Sequence, residues 1–383
     1  MMIPEMPTGD GNSRRHKVLV AMSGGVDSSV AAAILKAAGH EVVGCFMRLG
    51  DPDEPDLQTD STSVGSKSGC HRQGCCSVHD AADAREVASL LGIPFYVLNF
   101  RRQFDQIIDY FVGEYNAGRT PNPCVRCNDW LKFGRLHDYA QSIDCQFVAS
   151  GHYARIDRRY GSARLLRGRD SHKDQSYVLF GTRRQRLEHL LLPVGELEKD
   201  AVRQIAKAHR LPVFDKPDSQ EICFVPDNDY AGLVQRRTPD RISDGDIVDN
   251  TGEVVGRHSG HQHYTIGQRR GVGVALGYPV YVTQIDPQAN RVTIGTKESL
   301  RSGGCFADQV NWLIDSAPFQ WRRCQAKVRY NGGSSPARVR AISEDALEVR
   351  FDRPIDAVTP GQAVVCYDGS RVLGGGWITE ALG

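Results

Sequence analysis

The fold is decided by the stretch HKVLVAMSGGVDSSVAAAILKAAG, residues 16–39. It opens on a β-branched apolar run, which predicts a short buried strand. A glycine-rich turn follows, and residues 26–38 predict a helix whose apolar face includes Val30 and Ile34. Gly39 is typical of the residue that ends a helix. The stretch therefore predicts a strand–turn–helix unit.

The turn of this unit, SGGVDSS at residues 23–29, predicts an anion site. Gly24 and Gly25 let the backbone approach a ligand closely. The N–H groups at the helix start then face the anion, and the helix dipole strengthens the attraction. The turn lacks the Gly-Lys-Ser/Thr ending of a Walker A loop, which disfavours a γ-phosphate-transferring kinase or GTPase. The alternative is an ordinary glycine turn capped by Ser or Asp, but the strand before it and the helix after it favour a phosphate site.

Beyond this unit, apolar runs of strand length alternate with helical stripes as far as about residue 212. This alternation predicts an α/β domain with a parallel sheet covered by helices on both faces. Ligands of such domains bind beyond the carboxyl ends of the strands, which is where the SGGVDSS turn lies. A segment rich in Asp, Pro, Ser, Thr and Gly at 50–74 predicts a mobile insertion. Further strands are predicted over 41–47, 94–100 and 146–150, and helices over 81–91, 104–115 and 128–141.

After residue 212 the pattern changes to short alternating runs. Apolar pairs at 247–248 and 254–255 flank Asn-Thr-Gly at 250–252, which predicts a hairpin. From residue 306 onward such runs dominate and predict an all-β domain, a small barrel. We therefore expect a short flexible tail at 1–15, the α/β domain at 16–212, a central domain at 213–300 and the barrel at 301–383.

Length and composition narrow the class of protein. A chain of 383 residues with 40% hydrophobic and 24% charged residues suits several packed domains, and excludes collagen-like, coiled-coil and wholly disordered chains. No apolar run reaches the roughly 18 residues of a membrane span. The first residues lack the apolar core of a signal peptide, so we expect a cytoplasmic protein. The net charge of +1 requires any nucleic-acid binder to gather its Lys and Arg locally.

Eleven cysteines without a secretory signal predict reduced thiols used for chemistry or metal binding. In TPNPCVRCN, Cys127 is the second of two cysteines and lies just before the helix predicted at 128–141. A thiol near a helix N-terminus has a lowered pKa. Cys223 lies in DSQEICFV, residues 218–225. Both segments are polar and rich in turns, which favours reactive thiols. Cysteines within apolar runs are expected to be small buried hydrophobes: Cys45, Cys145, Cys305 and Cys366.

Together these features resemble the tRNA-specific 2-thiouridylases of the ATP-pyrophosphatase superfamily. The resemblance rests on motifs found in order along nearly the whole chain: SGGVDSS, GRTPNPCVRCN, SGHYAR, KDQSYVL, PVGELEK, DSQEICFV, YTIGQRRGVG, VRY and TPGQ. It implies an N-terminal domain like the adenine nucleotide alpha hydrolases, a small central domain and a C-terminal β-barrel. It also implies ATP-dependent thiolation, with Mg²⁺, at C2 of the wobble uridine of tRNA.

The resemblance assigns roles by position. Cys127 would be the nucleophile, and Cys223 would carry a persulfide. ATP would be bound by Ala21, Met22, Ser23, Gly24, Gly25, Val26, Asp27, Ser28, Met47 and Gly151. The target base would be met by Asn122, Pro123 and Cys124, and the rest of the tRNA by His152, Lys173, Asp174, Gln175, Arg329, Tyr330 and Gln362.

The implied chemistry needs two thiols that can meet. A uridine oxygen is a poor leaving group until adenylation turns it into a phosphate ester. A Cys127 thiolate could attack the Cys223 persulfide, releasing hydrosulfide and leaving a disulfide. Alternatively, the persulfide attacks C2 directly, and the sequence leaves both routes open. The persulfide would come from a donor protein, either a cysteine desulfurase or a relay protein.

One position departs from the pattern of the family, because Cys124 stands where some members have Asp. Cys124, Cys127 and Cys223 could together hold an iron–sulfur cluster, although we favour a metal-free site. Two further groups resemble metal sites only loosely. The first is Cys70, Cys75, Cys76 and His79, where we expect exposed thiols rather than a metal site or a sulfur acceptor. The second is His258, His261 and His263, which we do not expect to bind metal.

Two rival functions remain at this point. One is a metal-stabilised RNA-binding protein whose loop holds a nucleotide without turnover. The other is an amidotransferase or ligase of the same superfamily, which would need neither the cysteine pair nor an RNA-binding barrel. A scattered set of basic residues could form the tRNA surface or simply face solvent: Arg183, Arg184, Arg186, Arg269, Arg270, Arg322, Arg323, Lys327 and Arg329.

Overall fold

The structure is a computed structural model that describes residues 15–50, 78–218, 222–225 and 229–383. The insertion predicted at 50–74 lies, beyond Gly50, outside the described residues, and so does the tail predicted at 1–15, except for Arg15. No helix within the described ranges is long and apolar enough to cross a membrane.

The N-terminal half is the α/β domain that the sequence predicts. Its strands are β1 (Lys17–Ala21), β2 (Glu41–Arg48), β3 (Phe95–Asn99), β4 (Phe147–Ser150), β5 (Ala154–Asp157), β6 (Arg164–Arg167) and β7 (Leu190–Leu191). Its α-helices are α1 (Val26–Ala37), α2 (Val78–Leu90), α3 (Arg101–Asn116), α4 (Pro123–Arg126), α5 (Leu136–Ser142), α6 (Ser176–Leu179), α7 (Arg184–Leu187) and α8 (Lys199–Ala208). A π-helix (Cys127–Arg135) joins α4 to α5, and a 3₁₀-helix (Pro193–Glu196) precedes α8.

Five of these strands form a parallel sheet in the order β3-β2-β1-β4-β7. Side chains of β1 alternate between two separate cores: Leu19 packs into one, and Val18 and Val20 pack into the other. Both faces of the sheet are therefore buried, as expected for a parallel sheet between helical layers. The carboxyl end of β1 leads directly into the SGGVDSS turn, which confirms the predicted strand–turn–helix unit.

Two domains built mainly of β-strands follow. The central domain contains α9 (Tyr230–Arg237), β8 (Gly245–Val248), β9 (Val254–His258), β10 (Tyr281–Asp286) and β11 (Arg291–Gly295), with 3₁₀-helices at Pro239–Arg241, His261–His263 and Lys297–Leu300. The antiparallel pairing of β8 with β9 confirms the hairpin predicted around 250–252.

The C-terminal domain is a closed antiparallel barrel, which confirms the barrel prediction. Its strands are β12 (Arg301–Trp312), β13 (Arg322–Lys327), β14 (Ser335–Ala341), β15 (Ala346–Asp356), β16 (Ala363–Asp368) and β17 (Arg371–Leu382). They follow the order β12-β15-β14-β13-β16-β17, and pairing of β17 with β12 closes the ring.

The barrel and the N-terminal domain are joined by sheet pairing and by packing. The β5–β6 hairpin lies beside β17, where Leu166 is the partner of Arg371. Tyr177, Tyr367 and Trp377 belong to one buried cluster that also contains Leu19 of the parallel sheet. The sequence did not predict this joint, because its strand pairs and its apolar contacts connect residues far apart in the chain.

The helix predicted at 128–141 differs from the structure at its start and in its centre. Helical backbone begins at Pro123, whose fixed φ suits a first helical position. Asn122 caps this helix, because its Oδ1 accepts a hydrogen bond from the N–H of Val125 at 3.3 Å. The middle of the segment is the π-helix. Cys127 is therefore at the junction of α4 and the π-helix rather than just before a helix.

Candidate active site

The SGGVDSS turn holds its own shape by short-range hydrogen bonds. The backbone N–H of Ser23 donates to Ser28 Oγ at 3.1 Å, and Ser28 Oγ donates to the carbonyl of Gly25 at 3.2 Å. Ser29 Oγ donates to the same carbonyl at 2.8 Å. The turn thus places the N-terminus of α1 at the carboxyl end of β1, the arrangement that binds phosphate groups in many proteins.

Two close approaches to this turn are open only to glycine. Gly24 has φ +74°, and a Cβ placed on it would lie 2.3 Å from the carbonyl oxygen of Asp80 in α2. A Cβ on Gly151, just after β4, would lie 2.5 Å from the backbone nitrogen of Ser28. The structure therefore brings Gly151 and the turn together, as the resemblance implies for a shared nucleotide site.

Lysines from distant parts of the chain surround the turn. Lys199, at the start of α8, contacts both carboxylate oxygens of Asp27 at 2.7 and 2.9 Å. The Tyr153 hydroxyl donates to the same carboxylate at 2.7 Å. Lys216 donates to the carbonyl of Gly24 at 3.0 Å and to Asp80 at 2.6 Å. The cation that a Walker A loop carries within its own motif is here provided from outside the turn.

Lys199 also connects the turn to the segment that contains Cys223. Its Nζ lies 2.7 Å from Asp218, the first residue of DSQEICFV. Lys173 and Arg203 contact the same carboxylate at 2.8 and 3.2 Å. Burial by itself would raise the pKa of Asp218, but the hydrogen bonds from Lys173 and Lys199 lower it, so the group is a carboxylate at neutral pH. Lys173, which the resemblance assigns to tRNA, is thus already paired inside the protein.

The cysteine pair lies at the helix start described above. Cys124 is exposed on α4, and Cys127 is half-buried at the first position of the π-helix. π-Helical segments are rare and frequently occur at functional sites. Cys223 is also half-buried, and Met47, Cys127 and Cys223 all pack against the edge of the cluster that joins the N-terminal domain to the barrel. Residues predicted for nucleotide and for sulfur therefore border one common core.

Most residues that the resemblance assigns to tRNA also have internal contacts. Asp174 accepts hydrogen bonds from the N–H groups of Gly168 and Ser176, and Gln175 accepts one from the N–H of Tyr153. Gln362 donates to the carbonyls of Thr120 and Pro121. These three side chains fix the local backbone, and any contact with RNA would come in addition.

His152 has a buried ring hydrogen-bonded to Ser150 at 2.8 Å. Burial, with Lys132 nearby, lowers the pKa of this imidazole well below its usual value, so it is neutral near pH 7. Arg329 and Tyr330 of the barrel are exposed, and Tyr330 packs over the ring of Tyr177 at 6.2 Å between centroids. With Cys124, they are the exposed members of the set that the resemblance assigns to tRNA.

Three of the nine basic residues that could form the tRNA surface are neutralised by ion pairs. Arg184 pairs with Asp315, Arg186 with Asp138 at 3.6 Å, and Arg322 with Asp368 at 2.8 Å. Lys327 is buried beside Tyr177 and Tyr330 rather than on the surface, and burial lowers its pKa. The other five members of the set are exposed: Arg183, Arg269, Arg270, Arg323 and Arg329.

Within the described residues, no group of three His, Cys, Asp or Glu side chains is arranged to hold a metal ion. This includes Cys124, Cys127 and Cys223, all of which are described. The histidines at 258–263 are used locally: His258 accepts from the N–H of Gly260, and His261 contacts Asn290. Cys70, Cys75 and Cys76 lie outside the described residues, and His79 is exposed on α2.

Sequence reasoning did not single out Lys199, Tyr153 or Arg126. Lys199 ends the stretch PVGELEK and Tyr153 lies in SGHYAR, so both belong to motifs that signalled the resemblance. Their roles could not be predicted, because their partners are far away in the chain. Arg126, between the two cysteines, lies in GRTPNPCVRCN, another of those motifs, but nothing in that motif pointed to a role for it.

Comparison with known families follows the same division into domains. Residues 16–227 match the family described as the tRNA methyl transferase HUP domain, residues 232–296 its PRC-barrel domain, and residues 302–378 the aminomethyltransferase β-barrel domain. A protein of Rhodopirellula baltica named tRNA-specific 2-thiouridylase MnmA is 49% identical, over 96% of this chain and 97% of that protein. The chain belongs to the tRNA-specific 2-thiouridylase family. Two further members, from Carboxydothermus hydrogenoformans and Clostridioides difficile, are 48% and 45% identical, each over 96% of this chain and 99% of their own length.

Among solved structures, an NMN synthetase from Francisella tularensis matches with 17% identity over 59% of this chain and 77% of its own, at a TM-score of 0.31. That likeness is too distant to bear on function. The placement of this chain in the thiouridylase family rests on the sequence relatives and on the N-terminal domain match.

Proposed function

We propose that this chain is an ATP-dependent tRNA sulfurtransferase that adenylates the wobble uridine of tRNA and replaces its C2 oxygen with sulfur from a cysteine persulfide. The observation that carries the proposal is the combination of a phosphate-binding turn with two half-buried cysteines at the edge of the same core, in a member of the thiouridylase family. A methyl transferase, the activity named in the family description of the N-terminal domain, would need neither feature.

The nucleotide step follows from the electrostatics of the turn. The N–H groups at the start of α1 and the ammonium of Lys199 would stabilise the charge of the ATP phosphates while a uridine oxygen attacks the α-phosphate. The products are an adenylated uridine and pyrophosphate. Asp27 is the carboxylate of the turn, and carboxylate with phosphate oxygens is the ligand set that Mg²⁺ prefers. Both Asp27 oxygens contact Lys199 Nζ, so Asp27 would hold Mg²⁺ in exchange for Lys199, whose ammonium would then be directed to the phosphates. Mg²⁺ would supply neutralisation of phosphate charge.

The sulfur step needs both cysteines. In one route the Cys127 thiolate attacks the Cys223 sulfur of the persulfide, a Cys127–Cys223 disulfide forms, and the released hydrosulfide displaces AMP from C2. In the other, the outer persulfide sulfur displaces AMP, and Cys127 then attacks Cys223 to release the thiolated base. Both end in the same disulfide, which a reductant must open before the next turnover.

The proposal extends to partners and place of action. A persulfide-carrying protein, a cysteine desulfurase or a relay, would load Cys223, and the reaction would take place in the cytoplasm. Arg329 and Tyr330, together with Cys124, are the predicted tRNA residues that are exposed for contact with RNA. The site needs no metal at its cysteines in this scheme, and an iron–sulfur cluster on Cys124, Cys127 and Cys223 is the competing possibility for the same thiols.

Pyrophosphate release and 2-thiouridine content, measured with and without tRNA, test the proposal. We expect pyrophosphate release to require tRNA, Cys223→Ser to adenylate without loading persulfide, and Cys127→Ser to load persulfide without transferring it. Cys145→Ala, at a buried cysteine away from the turn, is the matched control. Full thiolation by Cys223→Ser would refute the persulfide role.

Cys124→Ser separates the metal-free site from the cluster. A metal-free site predicts a mild effect, since Cys124 would only neighbour the base. A cluster predicts loss of bound iron together with activity, measured on protein prepared without oxygen.

A further inference from the structure

Arg126 stands between Cys124 and Cys127, and its side chain enters a box of three aromatic rings. Its Cζ lies 4.0 Å from the ring centroid of Trp377 and 5.1 Å from those of Tyr110 and Trp130. Tyr110 also contacts both tryptophan rings edge-on at 5.9 Å, so the three rings support one another. These rings come from α3, the π-helix and strand β17 of the barrel.

The barrel adds a hydrogen bond to the same guanidinium. Arg126 Nη2 donates to Gln309 Oε1 at 2.7 Å. Gln309 has φ +48°, a left-handed conformation that few residues other than glycine adopt, and it lies where the register of β12 against β17 shifts between Asp308 and Asn311. Bulges of this kind re-aim side chains and are common near functional sites. Here the bulge directs the Gln309 amide at Arg126.

The other end of the cysteine segment is also held by the barrel. The N–H of Thr120 donates to the carbonyl of Pro360 at 2.9 Å, and Gln362 bonds the carbonyls of Thr120 and Pro121. Gly361 packs so closely that a Cβ there would lie 2.8 Å from the carbonyl oxygen of Thr120. The segment from Thr120 to Arg126 is thus fixed to the barrel at both ends.

We propose that Arg126 is a positioning residue, which locks α4 onto the barrel and so sets the place of Cys127 for sulfur transfer. An apolar side chain could fill the same box, but only the planar guanidinium both stacks on the rings and donates to Gln309, which fixes the rotation of α4 about its axis. Cys127 follows Arg126 directly, so a rotation of α4 would move its thiol. The barrel is then part of the scaffold of the cysteine site as well as a surface for RNA.

The first test of this inference measures thiolation and so rests on the proposed function. The second test measures alkylation of Cys127 and does not depend on that function. Arg126→Met keeps the apolar stem but removes the cation and the donor, and Arg126→Lys keeps the cation without the planar fork. The control is Arg340→Met, which removes a barrel arginine that stacks at 4.6 Å on Trp321 and pairs with the buried Glu348 at 2.6 Å, and so perturbs the barrel away from the cysteine segment. All variants are made in the full chain.

In single-turnover thiolation with saturating ATP and tRNA, we expect Arg126→Met to lower the rate by about tenfold to 10²-fold, since small misplacements of reacting groups have effects of that size. The KM for ATP should not change. Arg126→Lys should recover part of the rate, and Arg340→Met should keep the wild-type rate. Unchanged thiolation by Arg126→Met, or equal losses in Arg126→Met and Arg340→Met, would overturn the inference.

The second readout is alkylation of Cys127 in the free enzyme, followed by peptide mass spectrometry. It needs neither ATP nor tRNA, so it remains informative if the wild-type protein proves not to thiolate tRNA, an outcome that would count against the proposed function alone. We expect Cys127, now half-buried, to react several times faster in Arg126→Met than in the wild type or in Arg340→Met. An unchanged alkylation rate would contradict a positioning role.

Discussion

The phosphate turn and the cysteine segment lie in the same domain, but different kinds of contact hold them. The turn is shaped by hydrogen bonds among Ser23, Gly25, Ser28 and Ser29, all within one short stretch. The segment from Thr120 to Cys127 is capped by its own Asn122, but it is fixed in space by residues of the barrel. Loss of these barrel contacts should therefore impair the cysteines and spare the turn, and damage to the turn should do the reverse.

The largest effect is expected from Gly24→Ala, which breaks the turn alone. A Cβ there would lie 2.3 Å from the carbonyl oxygen of Asp80, at a φ of +74°. Several N–H groups that face the phosphates would be displaced, and tRNA-dependent pyrophosphate release should fall by about 10³-fold. The control is Gly113→Ala in α3, where an added Cβ meets nothing within 4 Å. Wild-type pyrophosphate release by Gly24→Ala, or faster alkylation of its Cys127, would contradict the claim that the turn and the cysteine segment are held by separate contacts.

Lys199→Met should have the next largest effect, because it removes the cation between Asp27 and Asp218. We expect pyrophosphate release to fall by about 10²-fold, the usual result of losing one charge-stabilising donor. Lys207→Met, at an exposed position of the same helix α8, should be near wild type. If Lys199→Met adenylates normally but fails to load persulfide, then Lys199 serves the Cys223 segment and not the turn.

Gln362→Leu sharpens the comparison from the side of the barrel. It removes two hydrogen bonds to the carbonyls of Thr120 and Pro121, and we expect thiolation at saturating tRNA to fall by about tenfold. A direct contact with tRNA would instead raise the KM for tRNA and leave the saturated rate unchanged, so steady-state kinetics distinguish the two roles. Gln288→Leu, in the exposed turn after β10, is the control.

The smallest effect, a change in the pH dependence of stability, is expected for His152. Its ring lies 5.8 Å from that of Phe133 in the π-helix, and it directly follows Gly151 in sequence. Because burial lowers the pKa of folded His152, the unfolded chain binds more protons below about pH 6.5. Stability should be full above that pH and should decline as the pH falls below it. Thermal unfolding at about pH 7.5 and pH 5.5 should show a smaller decline for His152→Gln than for the wild type, and no such difference for the exposed His209→Gln.

How far the sequence predicts each region follows from the same difference. The strand, turn and helix around SGGVDSS could be predicted because the spacing of apolar residues and the backbone freedom of glycine are local properties of the sequence. The parallel sheet, the hairpin at 250–252 and the barrel were predicted for the same reason. Lys199 and Arg126 were not, because their roles depend on Asp218 and Trp377, which only folding brings near. The start of the cysteine helix was missed because a Pro with an Asn cap, rather than an apolar period, determines it.

The packing of the barrel against the N-terminal domain has a consequence for how this chain is made. Tyr177 is fully buried in a cluster completed by Tyr367 and Trp377, and the Tyr177 hydroxyl bonds the carbonyl of Ala363. The ribosome synthesises these partners long after Tyr177 has left the exit tunnel. During that interval the first domain exposes apolar surface, and its cysteine segment lacks the contacts that fix it. Tyr177 therefore stays uncovered, and the cysteine segment stays unfixed, until β17 has been made.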